Sequence, residues 1–402
     1  MLNIVPILKS LLRNPIGPVL IIFQFSFSIA IISNAVFYIV ERTSKIMQDT
    51  GIIEKEIIGF SIAKDEQIEF LGPIVDRDME IIRSMPDVVD AAPFSSVPIS
   101  GEGNIIGFKT EIKQESPEYY ATRIFTTNHA VQTLGIKVIE GENFKESEIN
   151  YFDSDSPPAA SVALITKDLA EKLFPGESAV GKNIYAGRIY IIVGVVEKMM
   201  GIGPGSPFSM DVILSPEIEK PSLMFYLIRV NEEDRFKVLR SVYQKLNSVD
   251  RGRSVFNEST LQEVKRKTYE NDYAMVIVLT VVVLLLMFVN ALGIFGLTSF
   301  LVNQRYRTIG IRRALGATKI NILKYFITEG IILVIVSGII GAFLALLINS
   351  YIVVRYGFHF LPFTSIFLTV IVLLFVTLSA VFFPAMRASQ VSPRDAIVNL
   401  RA

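Results

Sequence analysis

The chain has 402 residues, 51% of them hydrophobic, with 39 Lys+Arg, 39 Asp+Glu and no Cys or Trp. Without Cys there can be no disulfides, and the near-zero net charge says nothing useful by itself, because it hides an asymmetry of which neither side suggests nucleic acid. The balance is only a sum: residues 41–272 hold 27 Lys+Arg and 37 Asp+Glu, a net of −10, and the remainder holds 12 and 2, a net of +10.

Four stretches free of Asp, Glu, Lys and Arg set the layout: Ile16–Val40, Ala274–Asn303, Gly330–Val354 and Phe358–Met386, each at least 25 residues long. A helix rises about 1.5 Å per residue and a bilayer core is about 30 Å thick, so about 20 residues suffice to cross it. A soluble helix rarely needs such a run, because one of its faces must meet water. The expected fold class is membrane α-helical, with four transmembrane helices and a large α+β extracytoplasmic domain inserted between the first and second.

In chain order the expected parts begin with an amphipathic N-terminal segment (1–15) and a first transmembrane helix (16–40). The outer domain with its stalk helices follows (41–272), then a second span (273–303) and a cytoplasmic segment (304–324). A third span (325–354), a fourth (358–386) and a tail (387–402) complete the chain. Lys9 and Arg13 precede the first run, Arg305, Arg307, Arg312, Arg313, Lys319 and Lys324 lie between the second and third, and Arg387, Arg394 and Arg401 follow the fourth. Short cytoplasmic segments are rich in Lys and Arg, which puts both termini and the 304–324 loop inside the cell. The first run is too long for the usual 7–15-residue core of a signal peptide, so no cleavage is expected there.

Within the outer domain, Gly72–Met85 reads as a helix with Ile74, Met79, Ile81 and Ile82 as its apolar members, ended by Pro86. Val88–Ile99 is strand-like, interrupted by Pro93 and Pro98. Ala160–Ile165 predicts a strand, Lys167–Leu173 a helix, and Ile184–Val196 paired strands around Ala186-Gly187-Arg188. Leu223–Val230 predicts a strand, Glu232–Leu246 an amphipathic helix, and Arg253–Phe256 a short strand. Two helix-and-strand units far apart in sequence thus flank an inserted α+β subdomain (about 120–196). Asp153–Pro158 and Gly201–Pro207 read as loops. Helical continuations of the spans are expected at Glu41–Thr50 and Thr260–Asp272, the latter a solvated stalk carrying Glu263, Lys265, Arg266, Lys267 and Glu270.

Gly176-x4-Gly181-Lys182-Asn183 misses the phosphate-binding loop pattern only at its last position. That pattern requires a strand before it, a hydroxyl for Mg²⁺ and a helix directly after the Lys. Here a helical stretch precedes, Asn183 has no hydroxyl and a strand follows, so the segment reads as a turn. His129 and His359, the two His residues, lie in different regions and leave little for His-cluster metal sites or triads. Glu232–Glu233 and Asp153/Asp155 read as solvated charges. No catalytic, cofactor-binding or metal residue is expected in this chain.

Inside the apolar runs the polar residues are neutral. Gln24, Asn34 and Asn290 are expected to make interhelical hydrogen bonds, Gly293/Gly296 and Gly338/Gly341 to let helices approach closely, and Pro362 and Pro384 to mark the ends of the last span. A proton-coupled carrier or ion pump usually carries fixed charge there, and this chain carries none in mid-span.

The loop between the second and third runs is the most specific element. Ile309, Arg312/Arg313, Ala314 and Leu315 alternate apolar and basic on a short helix, Gly316 fits a C-terminal stop, and Thr318 fits a cap for the next helix. The loop alone leaves two readings open, a helix on the lipid surface or one docked into a partner.

Thr308–Ala317 (Thr-Ile-Gly-Ile-Arg-Arg-Ala-Leu-Gly-Ala), then Glu329-Gly330 and the Gly-rich third run, resembles the signature of MacB/FtsX-type permeases of ABC transporters. Pro384–Ala396 resembles their usual ending, and Val162–Val196 with Leu173-Phe174 and Val180-Gly181-Lys182 resembles the MacB-like extracytoplasmic domain. The resemblance covers nearly the whole chain, and its motifs are specific in combination.

It implies a mechanotransmission subunit of the bacterial inner membrane. Two permease protomers, a homo- or heterodimer, would pair, and the loop helix would dock on an ABC-type ATPase that binds the ATP and Mg. ATP-driven closure of the ATPases would then move the outer domains. The docking residues carried over are Ile309, Gly310, Arg312, Arg313, Ala314, Leu315 and Gly316; the family commonly has Glu where Thr308 stands, so Thr308 is not among them. MacB members carry an N-terminal ATPase domain absent from this sequence, so the ATPase is expected in trans. The implied activity is efflux of a drug, peptide or other periplasmic substrate, with a periplasmic adaptor and an outer-membrane channel as further partners. Lipoprotein release of the LolC/LolE kind, an FtsX-like non-transporting regulator of an external hydrolase, and a membrane-anchored enzyme are the alternatives.

Overall fold

The computed structural model describes residues 7, 11–13, 15–64, 71–113, 116–153, 156–220, 224–249, 253–357 and 359–390. Most of the 1–15 segment, Asp155, Leu223, Phe358 and the tail beyond Gln390, with Arg394 and Arg401, lie outside these described residues. The chain divides into two compact units, Lys45–Asn271 and the segments Met1–Ser44 with Asp272–Ala402.

After α1 (Ile16–Ile46), the chain forms β1 (Ile57–Lys64), α2 (Leu71–Arg83) and β2 (Val88–Phe94). A long insertion then gives β3 (Asn104–Phe108), β4 (Tyr119–Phe125), α3 (Ala130–Leu134), β5 (Val138–Gly141) and β6 (Asn150–Asp153). It continues with β7 (Ala160–Thr166), α4 (Lys167–Leu173), β8 (Asn183–Tyr185), β9 (Ile189–Val196), β10 (Val212–Ser215) and β11 (Glu217–Lys220). A second strand–helix–strand unit follows, β12 (Met224–Val230), α5 (Arg235–Val249) and β13 (Arg253–Thr260), and leads into α6 (Leu261–Thr268).

The two strand–helix–strand units, far apart in sequence, share one antiparallel sheet of order β13-β1-β12-β2. Alternate residues along its strands face opposite sides. Ile58, Phe60, Met224, Tyr226 and Ile228 pack with Val75, Met79 and Ile82 of α2 and Val238, Val242 and Leu246 of α5. Ile57, Leu227, Ala92 and Phe94 join a second core with Ile124, Leu164, Val196 and Leu214 from the insertion. The α2 stripe runs through buried Val75 where the sequence pattern pointed to Ile74, which is only half-buried. Pro93 sits inside β2, which is possible because β2 is an edge strand and needs no further donor on its free side.

The insertion builds a seven-stranded sheet, β3-β4-β10-β7-β9-β5 with β8 on β9. It therefore reaches beyond residues 120–196 at both ends, taking in β3 and β10. The β8–β9 hairpin turns at Gly187, whose φ of 70° suits a residue without Cβ. Gly176 to Asn183 is a turn between α4 and β8, with Lys182 paired to Glu177 and its ammonium 4.3 Å from the Phe174 ring centre. No helix follows Lys182, as phosphate binding would require.

One buried ion pair ties the hairpin to β11. Arg188 Nη2 donates to Glu217 Oε2 at 2.6 Å, and Ser215 Oγ donates to the same oxygen at 3.2 Å. Glu217 is fully buried, and that burial pushes its carboxyl above the usual range while the Arg188 guanidinium pulls the other way.

The Thr260–Asp272 stalk is not one continuous helix. Thr260 and Glu263 form a reciprocal capping box at the start of α6, and Lys265 donates to Glu54 at 2.7 Å. The helix then breaks at Tyr269, whose ring is fully buried in the domain core. Burying that ring outweighs the continuity that the charge pattern favoured. Likewise, α1 ends at Ile46 and does not run to Thr50.

The other unit holds α7 (Glu270–Gln304), the short α8 (Tyr306–Ala314), α9 (Lys319–Tyr356) and α10 (Phe363–Ser389). Among the described residues, four helices, α1, α7, α9 and α10, are long and apolar enough to cross a membrane. Gln24 Nε2 donates to Val289 O at 3.1 Å and to Asn290 Oδ1 at 3.2 Å, and Ser28 Oγ reaches that same oxygen at 3.2 Å. Asn34 Nδ2 donates to Ala345 O at 3.1 Å. Asn349, which no pattern singled out, accepts from Leu361 N at 2.8 Å and lies 3.4 Å from Tyr38 Oη. Hydrogen bonds of this kind contribute about 0.6–2 kcal/mol each between helices in lipid. Pro362 caps α10 at its start, but Pro384 lies inside the helix, which continues to Ser389. Pro384, Ala385 and Ala388 are all buried, and packing on that turn offsets the hydrogen bond that proline removes.

Each spaced glycine pair has one member in close approach. A Cβ on Gly341 would lie 2.7 Å from Ile29 Cβ and 2.9 Å from Ser26 O, and one on Gly293 would lie 2.8 Å from Gln24 Oε1. Gly296 faces open space, and Gly338 meets Val370 at an ordinary 3.6 Å.

Gly341→Ala is expected to lower the Tm of the detergent-solubilised protein, in line with an overpacking penalty of about 1–3 kcal/mol. Gly296→Ala is expected to leave it unchanged or raise it, since Ala is the better helix former by up to about 1 kcal/mol. Glu217 gives a pH-dependent companion. Its folded pKa lies above the reference value of 4.5, so its contribution is fully present below that pH and is lost as pH rises through the folded pKa. The Tm of Glu217→Gln relative to wild type should accordingly become more favourable as pH rises above the reference value of 4.5; a difference independent of pH would contradict this.

Candidate coupling site between the second and third long helices

The segment joining α7 to α9 is built by its ends. Arg305 leaves helical geometry (φ −100°, ψ 11°), which separates α7 from α8 by one residue. At the far end, Gly316 N donates to Arg313 O at 3.2 Å and Ala317 N to Arg312 O at 3.0 Å, with Gly316 at φ 94°. This is a Schellman stop, in which the left-handed residue lets the last carbonyls find donors. Thr318 Oγ1 then accepts from Asn321 N at 3.3 Å and caps α9. Both terminal signals sit where the sequence put them.

The expected docking residues divide into two groups. Ile309 and Gly310 are buried, and Ile309 packs in an apolar cluster with Leu301, Ile322, Phe326 and Ala385. Arg312, Ala314, Leu315 and Gly316 are exposed, Leu315 to 82%, and the neighbouring Ile311 to 46%. Arg313 is half-buried, its Nε shielded from solvent and without a hydrogen-bond partner. Arg312 and Arg313 lie in the last turn of α8, where cations complement the helix dipole. The outward end of α8 thus presents an apolar tip of Leu315 and Ile311 beside the Arg312 guanidinium.

Three residues behind that tip were not among those expected. Arg305 Nη1 lies 3.1 Å from Glu329 Oε2 and donates to Tyr325 Oη at 3.1 Å, and Nη2 lies 3.4 Å from Glu329 Oε1. The guanidinium carbons of Arg305 and Arg312 lie 5.7 and 5.4 Å from the Tyr325 ring centre. A signal for Glu329 was present: it is one of two acidic residues outside 41–272. An isolated carboxylate at the edge of an apolar run, next to a basic loop, calls for a cationic partner.

Elsewhere, the two His residues each face a carboxylate. His129 Nδ1 lies 2.9 Å from buried Asp90, and His359 Nδ1 lies 3.2 Å from Glu41. Among the described residues there is no group of three His, Cys, Asp or Glu side chains placed to hold a metal ion. The chemistry on offer at the loop is recognition through charge and apolar contact.

Residues 17–252 match the MacB-like periplasmic core domain, and residues 280–393 match the FtsX-like permease C-terminal domain. The chain belongs to the MacB/FtsX-type family of ABC transporter permeases. It is 24% identical to the macrolide export ATP-binding/permease protein MacB of Chromobacterium violaceum, over 75% of this chain and 48% of that protein. It is 26% identical to the pyoverdine export ATP-binding/permease protein PvdT of Pseudomonas entomophila, over 69% of this chain and 41% of that one. The chain thus spans about half the length of these relatives. Among solved structures, the periplasmic region of MacB from Actinobacillus actinomycetemcomitans aligns with a TM-score of 0.35 and 13% identity, covering 56% of this chain and 97% of that one. The extracellular domain of YknZ, from Gram-positive bacteria, aligns with a TM-score of 0.32 and 14% identity, covering 50% and 100%. As a MacB/FtsX-type permease with four apolar helices, the chain is an inner-membrane protein.

Gly316→Val is expected to destabilise the loop, because a β-branched residue strains a left-handed position by about 1–2 kcal/mol. Faster proteolytic cleavage within 311–320 of the otherwise intact protein would report it; an unchanged rate would contradict the Schellman assignment.

Proposed function

We propose that this permease converts ATP binding and hydrolysis on an ABC-type ATPase into movement of its 41–272 domain, in the export of a drug, peptide or other periplasmic substrate. The observation that supports it most is the outward end of α8. Leu315, Ile311 and Arg312 stand exposed, while Ile309 and Gly310 anchor the same helix on the membrane unit. A helix lying on lipid would bury its apolar side outward and keep its cations in water. Here the best-buried apolar residue, Ile309, faces protein, and the exposed tip is small enough to fit a pocket.

In this reading the basic loop and both termini are cytoplasmic, in accord with the charge asymmetry, and 41–272 is periplasmic. ATP and Mg²⁺ are held by the ATPase, and this chain contributes no catalytic group. Two permease protomers work as a pair, and in a Gram-negative envelope a periplasmic adaptor and an outer-membrane channel complete the path. The relatives named for macrolide and pyoverdine export support the outward direction.

Arg312→Ala combined with Leu315→Ala tests the docking residues and leaves the inward Ile309 and Arg313 in place. Co-expressed ATPase is expected to co-purify at least about tenfold less well, since central docking side chains are commonly worth 2 kcal/mol or more. Membrane insertion should be unchanged. Retention of the ATPase at wild-type yield, with a normal nucleotide response, would sink the assignment.

A further inference from the structure

Resting on the docking reading above, we infer that Arg305, Tyr325 and Glu329 form a bracket that makes α8 and the first turns of α9 move as one body. Tyr325 and Glu329 stand one turn apart on the same face of α9, and Arg305, at the α7–α8 elbow, reaches both. Glu329 is the one acidic residue in α9, and its side chain is 4% exposed. The Tyr325 ring also carries Arg312, from the exposed end of α8. An unbroken series of contacts therefore leads from the docking tip, through one aromatic ring and one guanidinium, to a carboxylate inside the helix cluster.

Two weak points border α8. Arg305 has non-helical backbone angles, and Gly316 sits at positive φ with open space where a Cβ would lie. A push on the tip could be absorbed by bending at either point. The forked contact of Arg305 on Glu329, with Tyr325 filling the angle, closes the elbow against such bending. Buried ion pairs of this sort add little net stability, because desolvation offsets their attraction. What they fix is geometry: both guanidinium nitrogens must meet both carboxylate oxygens. These are positioning residues for coupling, acting behind the docking surface.

The chain has no Cys, so Met47→Cys, at an exposed site, supplies a unique thiol outside the loop. With the ATPase co-reconstituted in nanodiscs, its rate of reaction with a maleimide is compared with and without ATP and vanadate. In the wild-type background, nucleotide trapping should change that rate. Glu329→Gln and Arg305→Gln should keep ATPase co-purification within about twofold, a difference under 0.5 kcal/mol in binding, yet lose the nucleotide-dependent change. Arg305→Lys keeps the charge but not the fork and should fall between. The exchange Arg305→Glu with Glu329→Arg should restore much of the response, and it stands in if a single variant fails to fold. A full response in Glu329→Gln overturns the bracket. So does loss of the ATPase in that variant, since the pair would then merely hold the docking helix in shape. A wild-type chain that retains no ATPase removes the docking reading and the bracket with it, whereas loss confined to the variants bears on the bracket alone.

Discussion

Hydrocarbon gives two apolar helices no reason to leave lipid for each other, so every lasting contact in the membrane unit must come from close approach or from polar groups. Gly341 supplies the first, bringing the backbone of α9 against Ser26 and Ile29 of α1. Gln24, Ser28 and Asn290 supply the second between α1 and α7, and Asn34 does so between α1 and α9. All four amide and hydroxyl groups are neutral. That choice matters, because a neutral hydrogen bond can be remade at modest cost when helices shift, whereas a charge stripped of its partner in lipid cannot.

The outer domain meets the opposite problem. It must hold a long insertion without losing the sheet that the insertion interrupts. The order β13-β1-β12-β2 solves it by interleaving: each strand of the early unit pairs with β12, and β1 also pairs with β13. Neither half can close its sheet alone. The sheet is then buried on both faces, by α2 and α5 on one side and by the insertion's own residues, such as Ile124 and Leu214, on the other. The sheet that the insertion interrupts is thus held by strand pairing across both units and by a core on each face.

How much of this was legible in the sequence follows from which forces are local. Helix stops and caps are local, and Gly316, Thr318 and Pro362 sit where their chemistry demands. The α4 boundaries, Lys167 to Leu173, coincide with the expected ones, because the strand before and the Pro175-Gly176 turn after are equally local signals. Long-range pairing is different. The sequence offered two strand–helix units but no means of seeing that they share one sheet, nor that β3 and β10 belong with the insertion. Tyr269 and Pro384 mislead in opposite senses: the first breaks a helix that charge spacing favoured, the second continues one that proline chemistry opposed. In both, burial in a core outweighed a local preference of a few kcal/mol. At the candidate coupling site, the family resemblance grouped Ile309 with Leu315, although the first is buried and the second exposed; the split depends on where α9 and α10 lie, which the loop does not encode.

Depth in the membrane organises what remains. Midway along the helices the polar groups are amides and hydroxyls, and the one buried carboxylate of α9 lies ten residues from that helix's start, among the basic residues of the loop. A guanidinium there can be supplied from the aqueous edge without crossing hydrocarbon, since long basic side chains reach inward while their backbone stays near the surface. The buried Glu329 carboxylate is thus paired with Arg305 through a forked contact at the loop end of α9. Further in, the helices meet through neutral groups and small residues. The loop end and the interior of this unit thus differ chiefly in whether their polar atoms carry charge.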